Sequence, residues 1–350
     1  MTTPTPDTPV TEIRLLSVGT ALPGPPVSNA DLARRFGMDE LWEQWVDAFI
    51  GTKTRHLAVD LPTGEVRFSL ADLGETAGRR ALDAAGLGPG DVDLLVMGTA
   101  TPDRLMPATV NVVADRLGVD GVPTYQLQSG CAGAFQALDV AHQMLLTGRY
   151  RNALVVGGDV IARHYDLNLD LRSLPPGEMV NVALFGDGAG AAVLTTDPGR
   201  EGPVLRRVLT RLTGLGREPG QVLEWFGPVD HAPGRTGSKE DYKAIEQSVP
   251  AMSVEILKEL LDDLNWTDQD VDYILPPQLS QRMTARIMRE LDVPSMREIT
   301  CVTETGNNAN ALPFQQLERV LPLLEDGDRV LGIAVESSKW IKAGFALEQV

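Results

Sequence analysis

The 350-residue chain carries two cysteines, Cys131 and Cys301, and four scattered histidines. Two thiols cannot build a disulfide framework, and no metal-ligand spacing links them to the histidines, so a special cysteine here is a chemical one. Cys131 stands in Ser129-Gly130-Cys131-Ala132-Gly133, between a segment that reads as a strand and the helical pattern Ala134 to Leu146. A thiol at a helix N-terminus faces unpaired N–H groups and the positive end of the helix dipole, which predicts a lowered pKa and a nucleophilic thiolate. Small neighbours allow a sharp turn and let the carbonyl of an acyl thioester approach backbone amides, which is how an oxyanion hole is made. Cys301 has no such context and reads as a small core residue.

The elements that must hold this turn read as alternating strands and helices. Ile13 to Val18 is a short apolar strand closed by Gly19, and Ser28 precedes a helix over Asn29 to Phe36. A helix follows over Leu70 to Ala85, then strands at Val92 to Met97, Thr124 to Gln128, Asn152 to Gly157 and Gly188 to Thr195. The second half repeats the pattern, with helices over Ser253 to Leu264, Met283 to Leu291 and Leu312 to Leu324, and strands at Val271 to Leu275 and Arg329 to Val335. Short apolar strands without polar alternation, separated by helices, predict an α/β fold with a mainly parallel sheet covered on both faces. Two similar halves imply a duplication. Residues 166–181 and 214–240, rich in Pro, Gly and charge, read as inserted loops suited to pocket lids. Phe185 to Gly190 has the look of a nucleotide loop, but isolated glycine patterns are weak signals, and close backbone packing between the halves is the preferred reading.

Composition narrows the function classes. With 43% hydrophobic and 23% charged residues the chain is of the ordinary globular kind, and no run of about 18 apolar residues suggests a membrane span. A net charge of −17 opposes binding to nucleic acid or an anionic membrane, both of which need a positive field. Met1 to Pro9 lacks the basic start and apolar stretch of a signal peptide and reads as a frayed tail, which points to the cytoplasm.

Cys131-Ala132-Gly133, Ala153 to Val160 and Phe185 to Leu194, in that order, resemble the 3-oxoacyl-ACP synthase III branch of the thiolase superfamily, and the likeness extends over about residues 12–349. The resemblance implies a thiolase fold of duplicated αβαβα layered halves, 12–200 carrying the nucleophile and 201–350 carrying the partner groups. It implies a homodimer, acyl transfer through a Cys131 thioester, and no tightly bound cofactor. The substrate is then an acyl-ACP phosphopantetheine or coenzyme A thioester, and the partner an acyl carrier protein. Asn307, in Glu304-Thr305-Gly306-Asn307, matches the asparagine that hydrogen-bonds the thioester carbonyl. Ser338, in Glu336-Ser337-Ser338-Lys339-Trp340, lies where the family has glycines that supply an oxyanion-hole N–H. Met106 matches a loop bordering the acyl pocket. Trp45 and the segment Ile50 to His56, with Arg55, resemble the contact to the adenine end of coenzyme A, although Phe49 replaces a basic residue there. Arg282, Arg286 and Arg289 share one helix face by spacing, as a solvated face also would. Arg282 and Arg289 also match basic positions of the carrier-docking helix.

The departure follows the strand Val271 to Leu275. Where the family has Pro-His-Gln-Ala-Asn, this chain has Pro276-Pro277-Gln278-Leu279-Ser280, so Pro277 stands in the place of a catalytic histidine and offers neither donor nor base. Gln278 and Ser280 remain as pocket candidates, and His164, His231 and Gln278 as candidates for a substitute base. Three functions follow. The first is an acyltransferase of a polyketide or related pathway that loads a starter unit or serves a non-malonyl acceptor. The second is a decarboxylative condensing enzyme with another base, and the third a noncatalytic partner subunit.

Overall fold

A computed structural model describes residues 12–174, 179–225 and 238–350. Its helices begin where the sequence can satisfy their first N–H groups. Ser28 and Asp31 form a reciprocal capping box at α1 (Asn29–Phe36), and Ser69 and Asp72 do the same at α3 (Leu70–Ala85). Between them lies α2 (Glu40–Phe49), followed later by α4 (Thr109–Leu117), α5 (Gly133–Leu146), α6 (Tyr242–Leu264), α7 (Gln281–Leu291) and α8 (Leu312–Val320). Helix α6 starts at Tyr242 rather than Ser253, because Asp241 caps it by accepting from Ala244 N–H at 2.9 Å, and Pro250 is accommodated inside it.

Ten strands form one twisted sheet: β1 (Arg14–Ala21), β2 (Leu94–Thr99), β3 (Thr124–Gln128), β4 (Asn152–Asp159), β5 (Gly188–Thr195), β6 (Val204–Leu212), β7 (Tyr273–Leu275), β8 (Arg297–Glu298), β9 (Arg329–Glu336) and β10 (Ile341–Glu348). Their order is β8-β7-β9-β10-β6-β1-β5-β4-β2-β3. Each half repeats one pairing pattern. The outer strands are parallel (β3 with β2, β2 with β4; β8 with β7, β7 with β9) and the inner ones antiparallel, and the halves meet where Arg14 of β1 pairs with Val204 of β6. Parallel pairing is thus confined to the outer strands of a mixed sheet.

Alternate residues of a strand point to opposite faces, and both faces of the central strands are covered. In β2, Leu94 and Val96 join a cluster with α5 and α8, whereas Leu95 and Met97 face α3 and α4. The first cluster also takes Val330, Ala334 and Phe345 from β9 and β10, and the far side of those strands packs on α6 and α7. The layers therefore run helix, sheet, helix, sheet, helix, with α5 and α8 in the middle. Glycines bring the halves into backbone contact: a Cβ on Gly186 would strike Thr305 O, and one on Gly190 the side chain of Phe314. Phe185 to Gly190 is a packing device, as its sequence reading preferred. Asp187 within it accepts from the N–H groups of Ala58, Ile161 and Ala162, and burial pushes its carboxyl up to about 6. No helix among the described residues is long and apolar enough to cross a membrane.

Candidate active site

Strand β3 delivers the chain to a tight turn in which Gly133 N–H donates to Gly130 O at 2.9 Å, and α5 departs from it. The turn lies so close to β2 that a Cβ on Gly98 would meet Gly133 O. Cys131, at the turn, is partly exposed and lines a pocket with Phe135, Pro277, Gln278, Asn307 and Leu312. The candidate nucleophile thus comes from the first half, and most of the rest of the lining from the second.

The electrostatics reverse the expected thiolate. Cys131 N–H donates to the carboxylate of Glu336 at the end of β9, whose other oxygen accepts Ser338 N–H at 2.6 Å. Ala134 N–H, in the first turn of α5, is also taken, by Asn310 Oδ1 at 2.7 Å. The thiol pKa is raised well above its ordinary value, first by burial, then by the charges of Glu336 and Asp159, with a side-chain hydrogen bond to Glu336 adding to the shift. A helix terminus supplies about half a positive charge, which two buried carboxylates outweigh. Cys131 therefore rests as a thiol, and Ser338 holds its N–H beside that of Cys131 with one carboxylate bridging them.

Behind the turn lies a network that gives no motif in the sequence. Asp159, at the end of β4, accepts from Thr99 Oγ1, from the N–H and hydroxyl of Thr101, from Ala100 N–H and from the backbone and side-chain nitrogens of Asn310. Asn310 then turns its Oδ1 to α5. Asp159 and Glu336 share the one available signal: each is an acidic residue that ends a strand whose interior is apolar and buried.

The other predicted residues divide. Asn307 is 3% exposed, its Oδ1 accepts Ala309 N–H at 3.0 Å, and its Nδ2 has no protein partner among the described residues. Gln278 reaches the pocket wall, but its Oε1 is committed to the N–H groups of Cys301 and Val302 at 2.6 and 2.9 Å, so it braces the turn before Asn307. This use leaves it unsuited to act as a base. Ser280 is not part of the pocket: it is the N-cap of α7, accepting Met283 N–H at 3.1 Å. Cys301 is buried, and burial pushes its thiol up to about 11. His164 lies exposed in a short turn after β4, away from the pocket lining, and His231 falls outside the described residues.

Away from the thiol, Met106 is 85% exposed on the loop before α4 and does not line the Cys131 pocket of its own chain. Arg55 also departs from expectation. It is 0% exposed, with its guanidinium donating to Val27 O and Ala183 O, so it ties loops together inside the molecule and presents no charge to a nucleotide; burial lowers its pKa to about 10. Trp45 is half-buried on α2 with its ring 5.8 Å from that of exposed Phe49. Arg282 Nε donates to Ala48 O at 2.9 Å, which joins α7 to the end of α2. Arg286 is neutralised by Glu246 and Glu290, whereas Arg289 is exposed and has no ion-pair partner among the described residues.

A family model described as 3-Oxoacyl-[acyl-carrier-protein (ACP)] synthase III matches residues 125–210, the stretch from β3 to β6. The beta-ketoacyl-[acyl-carrier-protein] synthase III of Rhizorhabdus wittichii is 32% identical over 301 residues, covering 85% of this chain and 86% of its own length. That of Sphingopyxis alaskensis is 33% identical over 303 residues, with 85% and 86% covered. Among solved structures, AbyA1, described as a tetronic acid condensing enzyme, is 62% identical with a TM-score of 0.93, covering 96% of this chain and 99% of its own. The priming β-ketosynthase of the R1128 polyketide pathway is 26% identical with a TM-score of 0.80, covering 96% of each. The chain belongs to the 3-oxoacyl-[acyl-carrier-protein] synthase III family and has the thiolase fold. Within that family it is similar to enzymes of fatty-acid synthesis and of secondary metabolism.

Proposed function

We propose that this chain is a cytoplasmic condensing acyltransferase of secondary metabolism, which takes an acyl group from acyl-ACP or acyl-CoA onto Cys131 and passes it to a non-malonyl acceptor. The observation that carries this reading is the pocket lined by Cys131 and Asn307, from opposite halves, together with Pro277 and no histidine. A family member of this kind keeps the means of forming a thioester. It lacks the donor that would help malonyl lose CO2.

Similarity to a tetronic acid condensing enzyme supplies a fitting acceptor. A tetronic acid is a small lactone carrying an enolised dicarbonyl, and its assembly from two acyl thioesters takes a C–C bond and a C–O bond. A methylene flanked by two carbonyls is already acidic, so it can attack the Cys131 thioester without losing CO2. Cys131 leaves as the C–C bond forms, and a hydroxyl of the transferred acyl group then closes on the acceptor's thioester and expels its carrier thiol. We read the division at 200/201 as the boundary between the half that holds the nucleophile and the half that holds Asn307. A homodimer is supported by β3, the last strand of the sheet, which is bonded on one side only and exposes Tyr125 at 42%; a second copy would cover that edge. Met106 lies on the loop leading to α4, which Val110 N–H ties to Gln126 of the same strand, so the copy would reach it too.

Incubation with acetyl-, butyryl- and 2-hydroxyacyl-pantetheines followed by intact-mass measurement is expected to show an acyl adduct that is absent in Cys131→Ala. No adduct with any donor would sink the reading and favour a noncatalytic subunit, while release of labelled CO2 from malonyl-ACP would favour decarboxylative condensation.

Arg282, which is tied to Ala48 at the end of α2, and Arg289, further along α7, present charge without an ion-pair partner among the described residues, and an acidic carrier protein is the complementary partner. Reversing both to Glu is expected to weaken acyl-ACP transfer by about tenfold or more at low salt, with little change for acyl-pantetheine, and the gap should narrow as salt screens the pair. Equal losses with both donors would count against docking there.

A further inference from the structure

Cys131 rests as a thiol and must lose a proton before its sulfur can attack a thioester, yet no histidine is among the residues lining its pocket. Glu336 stands next to it. This residue ends β9, is 1% exposed, and has no ion-pair partner among the described residues; its two oxygens accept the N–H groups of Cys131 and Ser338. A buried carboxylate without a cation carries a large desolvation cost. Each of its oxygens takes one N–H, which an amide, with a single acceptor oxygen, could not do in this geometry. The acid lies so close to the turn that a Cβ on Gly130 would collide with it.

We propose that Glu336 is the acid-base residue of the acylation step, an inference that rests on the reading of Cys131 as the nucleophile. As the sulfur bonds to the thioester carbonyl carbon, the thiol proton passes to the Glu336 carboxylate and the carbonyl electron pair moves to oxygen. When the tetrahedral adduct collapses, the carbon to pantetheine sulfur bond breaks and the leaving thiolate takes the proton back from Glu336. The carboxylate is regenerated with the acyl group on Cys131. Protonation also frees the site. A neutral carboxyl is a weaker acceptor than a carboxylate, so the Cys131 and Ser338 N–H groups are released at the moment the substrate oxygen becomes negative. Glu336 thus fills the oxyanion hole at rest and vacates it when it takes the proton.

The test is Glu336→Gln in the full chain, with two rates measured near neutral pH: alkylation of Cys131 by iodoacetamide, and adduct formation from the acyl-pantetheine that loads the parent protein best. Removing a negative charge beside the thiol favours the thiolate, so alkylation is expected to rise by about tenfold or more. Loss of the acid-base group should lower acylation by about 10²–10⁴-fold. Cys301, which is buried, serves as an internal check and should stay unmodified in peptide maps. Glu336→Asp, which keeps the charge, should recover part of the acylation rate. Acylation undiminished in Glu336→Gln would overturn the proposal, and so would a loss of acylation accompanied by modification of Cys301, which would mark a merely structural role. Failure of the parent protein to load any donor would instead remove the reading of Cys131 on which the inference rests.

Discussion

Asn307→Ala is expected to accumulate the Cys131 acyl adduct at close to the parental rate and then to stall, losing about 10²–10³-fold in the transfer of that acyl group to its acceptor. The side chain is held by one bond, from Ala309 N–H to its Oδ1, which leaves Nδ2 as a donor on a buried residue of the pocket wall. On the function proposed above, the amides of Cys131 and Ser338 serve the carbonyl under attack during loading. The second step then puts charge on a further oxygen, that of the acceptor's enolate, and Asn307 Nδ2 is the neutral donor assigned to it. Pre-forming the adduct, removing excess donor, adding a dicarbonyl thioester and following the decay of adduct mass would separate the two steps. Decay at the parental rate in Asn307→Ala would show that the asparagine serves the scaffold alone.

Asp159→Ala is expected to lower stability by about 3–5 kcal/mol, read as a fall in the urea midpoint with an unchanged slope. Its carboxylate accepts from six donors, among them the N–H groups of Ala100 and Asn310. The Thr hydroxyls can turn elsewhere and Thr101 N–H keeps Thr99 Oγ1 as a partner, but the part-buried N–H of Ala100 and the buried N–H of Asn310 would lose theirs. Asp159→Asn should cost less and change the pH dependence. Burial holds the Asp159 carboxyl above its ordinary value, so the folded chain binds this proton more tightly than the unfolded one. The group's favourable contribution is therefore present in acid and lost as pH climbs past the ordinary carboxylate value of 3.8 and through the raised one. An amide has no proton to lose there, and this part of the profile should flatten. A midpoint unmoved by Asp159→Ala would mean that water replaces the carboxylate at no cost.

The parts of the fold that sequence reveals are those decided by neighbours in the chain. Helices α1 and α3 run over the residues their Ser caps and apolar spacing indicate, and β3 and β5 span the residues expected of them, Thr124–Gln128 and Gly188–Thr195. Strand β6 escaped notice because Arg206 and Arg207 interrupt its apolar run, and their partners, Glu348 and Asp263, come from β10 and α6. The site follows the same rule. A cysteine among glycines at a helix start is a local pattern, and Cys131 is where it indicates. Its raised pKa comes first from burial and then from Glu336, 205 residues away, and no spacing could reveal that this acid folds back onto the turn. Arg55 shows the converse error. Its charge is visible in the sequence, but its burial among loops from three parts of the chain is not.

The thiol belongs to one half of the molecule, and its carboxylate neighbour and the asparagine belong to the other. Neither half can therefore drift alone. A substitution that shifts β9 by a fraction of an ångström alters the acidity of a sulfur held in the turn before α5, and a bulkier residue in that turn must find a smaller acid across the seam. The two portions of this chain are bound to change as a matched set, and exchanging one of them with a relative would carry over a frame without the partner that tunes it.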